Sequence, residues 1–147
     1  MALFTSLHGK RLGLGKLGNL FAKGGSLPLT VPAVDAVITV GAKVSNVRNI
    51  SVQLKDANGN NCPGVQAFDI IMLLNAAGSD YAATGGSTGV AQGANGKVLA
   101  EVAKKIFSAM TDSTGLLAIT YTDTGSEAVF LGVRLPNGRI VISSALA

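Results

Sequence analysis

The sequence predicts an all-β fold, a β-sandwich, and three observations carry that prediction. Its short apolar segments are rich in Val, Ile and Thr and alternate with polar residues at period two. Its 19 glycines, with Asn, Asp and Ser, supply turn signals every ten residues or so. Charged residues make up only 14% of the chain, which favours half-buried strands over solvated helices. A chain of 147 residues is long enough for one domain with a real core and too short for a second full domain.

The strands follow in order. AVITVGAKV places Ala36, Ile38 and Val40 on one face, and ISVQLKD places Ile50, Val52 and Leu54 inward with Ser51, Gln53 and Lys55 outward. DANGNNCPG is a turn, with Asn58-Gly59 suited to positive φ. QAFDIIMLLN is apolar on both faces, the mark of a strand covered on both sides. The next twenty or so residues of Gly, Ala, Ser and Thr read as one long loop, which a compact domain rarely keeps unless it has a task. KVLAEVAKKIFSAM fits helical spacing and strand spacing alike, since Val98, Val102, Ile106 and Met110 share one face in either; its place among strands favours one or two strands. LLAITYTD and AVFLGVRL come next. LPNGRIVIS, with Asn137-Gly138, reads as a hairpin.

The charge is uneven. Residues 1–34 hold Lys10, Arg11, Lys16 and Lys23 and no acid, so the net charge of +4 sits there and residues 35–147 are balanced. This segment, rich in Gly and Leu and closed by Pro28 and Pro32, reads as an extended N-terminal arm over 1–33, followed by the sandwich domain over 34–147. Leu3, Phe4, Leu7, Leu12, Leu14, Leu17, Leu20 and Phe21 interleave with the basic residues. A basic tail made for nucleic acid would carry more charge and less apolar surface. The expected contact is with protein, either a partner, a neighbouring subunit or the chain's own body.

Several chemistries lack their residues. Cys62 is the only cysteine and His8 the only histidine, so disulfides within the chain, cysteine zinc cages and Ser/His or Cys/His catalysis have no partners. Gly13, Gly15 and Gly18 match a dinucleotide fingerprint in spelling only, because no strand precedes them and Gly24, Gly25 and Pro28 would cut the helix short. Around Gly15-Lys16 a phosphate loop lacks its first glycine, replaced by Lys10, and its Ser/Thr, replaced by Leu17. Asp56, Asn58 and Asn60 begin like a calcium loop, but Asn61 stands where the glycine is needed. No cofactor or metal is expected. The first residues do not read as a secretory signal, and no apolar run reaches the ~18–20 residues of a membrane span, so the chain reads as soluble with no membrane partner.

Asp123-Thr-Gly-Ser poses the sharpest question, because aspartic proteases hold their catalytic carboxylate in such a motif. They need two carboxylates sharing one proton. This chain has one motif, a homodimer would have to supply the second, and Thr122 stands where an apolar residue is usual. Asp, Thr, Gly and Ser are also ordinary turn residues, and the turn is the favoured reading.

The phrases ISVQLKDANGN and TDSTGLLAITYTDTGSEAVFLGVRLPNGRIVISSAL resemble the immunoglobulin-like (Ig-like) domains of tailed-bacteriophage virion proteins. MALFTSLHGKRLGL is similar to the start of small phage proteins made alongside the major capsid protein. The resemblance covers most of the chain, the Gly-rich stretch and KVLAEVAKK less well. It implies an Ig-like β-sandwich preceded by the arm, and a non-enzymatic capsid decoration or cement protein on the exterior of the virion. Its partner would be the major capsid protein, with self-association as a dimer or trimer on the shell and no direct contact with nucleic acid. The capsid-binding residues expected are Leu3, Phe4, Leu7, Lys10, Arg11, Leu12, Leu14, Lys16, Leu17, Leu20 and Phe21. The alternatives are a tail or head-fibre component of the virion, or the homodimeric aspartic protease using Asp123.

Overall fold

A computed structural model describes residues 31–83, 89–125 and 127–146. Among these described residues nine strands form: β1 (Asp35–Val44), β2 (Val47–Lys55), β3 (Ala67–Leu73), β4 (Gly89–Gln92), β5 (Lys97–Val102), β6 (Ile106–Met110), β7 (Leu116–Thr122), β8 (Phe130–Arg134) and β9 (Ile140–Ala145). They form two antiparallel sheets, β1-β2-β7-β4 and β5-β6-β3-β8-β9, packed as a sandwich. In chain order β1, β2, β3, β4, β7, β8 and β9 take the positions of the seven strands A to G of an immunoglobulin sandwich, A-B-E-D facing C-F-G. The β5–β6 hairpin is inserted between the fourth and fifth of these and extends the second sheet.

The alternation of the sequence decides which side chains meet. Ile50, Val52 and Leu54 of β2 and Leu117, Ile119 and Tyr121 of β7 point inward from one sheet. Phe68, Ile70 and Met72 of β3, Phe107 and Ala109 of β6, and Leu131 and Val133 of β8 meet them from the other. Each large apolar side chain buried this way contributes about 1.5–3 kcal/mol. Ala33, the last residue of the segment read as an arm, is buried as well.

β3 is covered on both sides, as its continuous apolarity predicts. Ile71 and Leu73 face away from the core and are nonetheless buried. The chain after β3 folds back over them: Ala82 N donates to Met72 O, Leu74 N to Asp80 O, and Tyr81 bridges to Leu73. Gly132 of β8 leaves room for Leu73, since a Cβ there would come 2.7 Å from Leu73 Cδ1. This second, smaller cluster sits on the outer face of the five-stranded sheet.

Two expectations need correction. The Gly-rich stretch is not one loop, because residues 89–92 form β4 by pairing with β7; four residues opening on glycine give no readable alternation. The segment 97–110 is a hairpin of two strands, but Val98, Val102, Ile106 and Met110 do not share a buried face. Phe107 and Ala109 point inward on β6, while Met110 is exposed. A bulge between Ala100 and Val102 and the turn at Lys104, with φ of 63°, shift the phase.

Candidate functional site

The arm residues expected to contact a capsid, Leu3, Phe4, Leu7, Lys10, Arg11, Leu12, Leu14, Lys16, Leu17, Leu20 and Phe21, lie outside the described residues. What the structure does define is where that segment joins the body. Gln66, just ahead of β3, holds the incoming chain by its side-chain amide: Nε2 donates to Val31 O at 2.8 Å and Oε1 accepts from Ala33 N at 2.9 Å. Gln66 is fixed in turn by Thr111, just past β6. Gln66 N donates to Thr111 Oγ1 at 3.0 Å, and Thr111 N donates back to Gln66 O. Nothing in the sequence marks this clamp beyond a polar residue preceding an apolar strand.

Beside the clamp, on the outer face of the five-stranded sheet, runs an open groove of about 650 Å³. Period two puts Ala67, Asp69, Ser108, Met110, Leu99 and Arg134 on this face. Ala67 and Ser108 are short and form the floor, while Leu99, Met110 and Pro136 form apolar walls. Leu99 is 70% exposed and Met110 42%, an uncommon state for large apolar side chains placed side by side. Arg134 Nε donates to Asp69 Oδ2 at 3.0 Å, and its Nη2 reaches the same oxygen. Both side chains are partly exposed, so the pair orients the groove wall and adds at most about 1 kcal/mol.

The Asp-Thr-Gly-Ser motif has a local explanation. Asp123 lies at the start of the β7–β8 connection, 2% exposed, with Oδ1 accepting from Gly125 N at 3.0 Å and Oδ2 from Glu127 N at 3.3 Å. Two other aspartates do the same thing. Asp56 Oδ1 accepts from the N–H groups of Asn58 and Asn60, and Asp112 Oδ1 from those of Thr114 and Leu116. In all three loops the carboxylate collects the backbone donors two and four residues on, which is how an aspartate organises a turn. The would-be calcium loop is one of the three, and among the described residues no cluster of His, Cys, Asp or Glu comes together to hold a metal.

Their electrostatics follow from these bonds. Hydrogen bonds from Thr114 and Asn95 hold the Asp112 carboxyl down at about 2, and the backbone donor of Asn60 lowers Asp56. Tyr121, buried under the β7–β8 connection, is pushed up to about 12 by burial and then by Asp123 and Glu127, so its phenol stays neutral. Burial raises the Cys62 thiol as well and keeps it from solvent. Sequence reasoning found Asp123, Asp56 and the β8–β9 hairpin but not the groove, because no motif marks an exposed Leu and Met on adjacent strands.

No protein-family model, no curated protein and no solved structure matches this chain.

Proposed function

We propose that the protein is a non-enzymatic structural component of a tailed-phage virion, an Ig-like decoration or cement protein that binds the major capsid protein shell and stabilises the head. The observation that carries this reading is the split of the chain into a charge-balanced sandwich and a basic, apolar segment that carries the whole net charge of +4. The clamp at Gln66 supports it, because the segment leaves the body beside an apolar groove, at a point fixed by both β3 and β6. The sequence phrases similar to virion Ig-like domains point the same way. In this mechanism the segment lies across neighbouring capsid subunits while the sandwich stays outside. Engaging several subunits at once raises the effective concentration of each contact and resists expansion of the shell.

Co-sedimentation with assembled phage capsids tests the proposal. The full chain should bind saturably, whereas a chain lacking residues 1–30, and a full chain with Lys10, Arg11 and Lys16 replaced by Glu, should not. The truncation stops at residue 30 because Ala33 belongs to the core. Failure of the full chain to bind any capsid would overturn the reading.

A further inference from the structure

We propose that the protein forms a two-fold symmetric dimer by antiparallel pairing of β5 with β5 of a second copy, centred on Leu99. What carries this is one juxtaposition: an exposed leucine midway between a lysine and a glutamate on an open edge strand. β5 is bonded to β6 on one side and, among the described residues, to no strand on the other. All its residues except Val98 are exposed, and Leu99 is the most exposed large apolar side chain described. An edge strand of this kind presents unpaired N–H and C=O groups to a further strand. The remaining edges are less open, since β1 and β9 lie against each other across the opposite side of the sandwich and β4 has only four residues.

The charge order identifies the occupant. With Leu99 opposite its own copy, the antiparallel register brings Lys97 beside Glu101 of the second copy, and Glu101 beside its Lys97. The axis then carries a Leu–Leu contact flanked on both sides by pairs of opposite charge, each favourable across an antiparallel ladder. Parallel pairing in the same register would set Lys97 against Lys97 and Glu101 against Glu101. Glu101 is already turned to the outer face, because Ser108 Oγ, opposite Leu99 on β6, donates to its Oε1. Glu101 is itself the extra residue of the bulge between Ala100 and Val102, so the regular part of the new ladder runs over residues 98–100 and the charge pairs are made by the Lys97 and Glu101 side chains at its two ends. In the dimer the two grooves, each walled by Leu99 and Met110, flank the axis on one continuous ten-stranded face.

The proposal is independent of the capsid reading and is tested on the purified full chain by sedimentation equilibrium. The unaltered chain should dimerise, with dissociation increasing as salt is raised. Lys97→Glu alone and Glu101→Lys alone each create like-charge pairs and should weaken the dimer on the order of tenfold or more. Mixed in equal amounts, these two variants should restore association as a heterodimer, which a merely misfolded variant could not do. Leu99→Cys should crosslink under mild oxidation, because opposite residues of an antiparallel pair have Cα atoms about 4.5–5.5 Å apart, within disulfide reach. A monomer at every soluble concentration, or a dimer indifferent to both charge reversals, would overturn the proposal.

Discussion

The outer faces of the two sheets are built differently. On the four-stranded sheet Thr39, Ser51, Ala118 and Thr120, all short, fill the middle of the outer face, and its exposed valines, Val37 and Val44, stand apart from each other on the edge strand β1. On the five-stranded sheet the outward residues include Ile71 and Leu73, covered by the chain's own loop, and Leu99 and Met110, which nothing in the described chain covers. One face carries short side chains at its centre and only scattered apolar ones. The other is part second core and part open contact surface, and it is the one beside which the N-terminal segment joins.

The largest effect that tests this contrast is a pair of truncations. Leu54→Ala, in the main core, should cost about 3–5 kcal/mol in urea unfolding, and Leu73→Ala, in the outer cluster, about 2–3 kcal/mol. A cost for Leu73→Ala near that of a surface change would mean that the outer cluster is not a core. A second test concerns the turn that leads into β7. Asp112 titrates at about 2 in the folded chain against an ordinary 3.8, so its contribution is complete above that ordinary value and is lost as pH falls through about 2. Asp112→Asn should therefore flatten the fall of melting temperature between pH 4 and 2; an unchanged slope would remove this aspartate from the acid response.

Smaller effects sharpen the picture. Arg134→Ala should cost less than about 1 kcal/mol, because the pair with Asp69 is solvated; a larger loss would make the groove wall part of the stabilising structure. Smallest of all is Tyr121→Phe. Among the described residues the buried hydroxyl has no hydrogen-bond partner, so its removal should leave the melting temperature unchanged or slightly raised.

Much of the fold was legible because burial and alternation coincide. Ile50, Val52 and Leu54 point inward as their spacing requires, β3 is covered on both faces, and Asn137-Gly138 turns β8 into β9 with Gly138 at φ 84°. β4 was not legible, because it exists through pairing with β7 and not through its own four residues. The phase of β6 was lost to a bulge, which one extra residue creates without any change in composition. The β1–β2 hairpin turns on Ser45 and Asn46, both with positive φ, and has no glycine to announce it. The groove was hidden for a related reason. It depends on which outward residues are short, and that is known only once three strands are in register.

The Gln66 amide has a mechanical consequence. A pull on the chain ahead of Val31 would otherwise fall on the first rung of β1, where Val34 N meets Lys55 O, and peel that strand from the four-stranded sheet. By gripping Val31 and Ala33 and leaning on Thr111, Gln66 diverts the load to the junction of β3 and β6 in the opposite sheet. Force arriving along one strand is thus shared between both layers before any ladder opens.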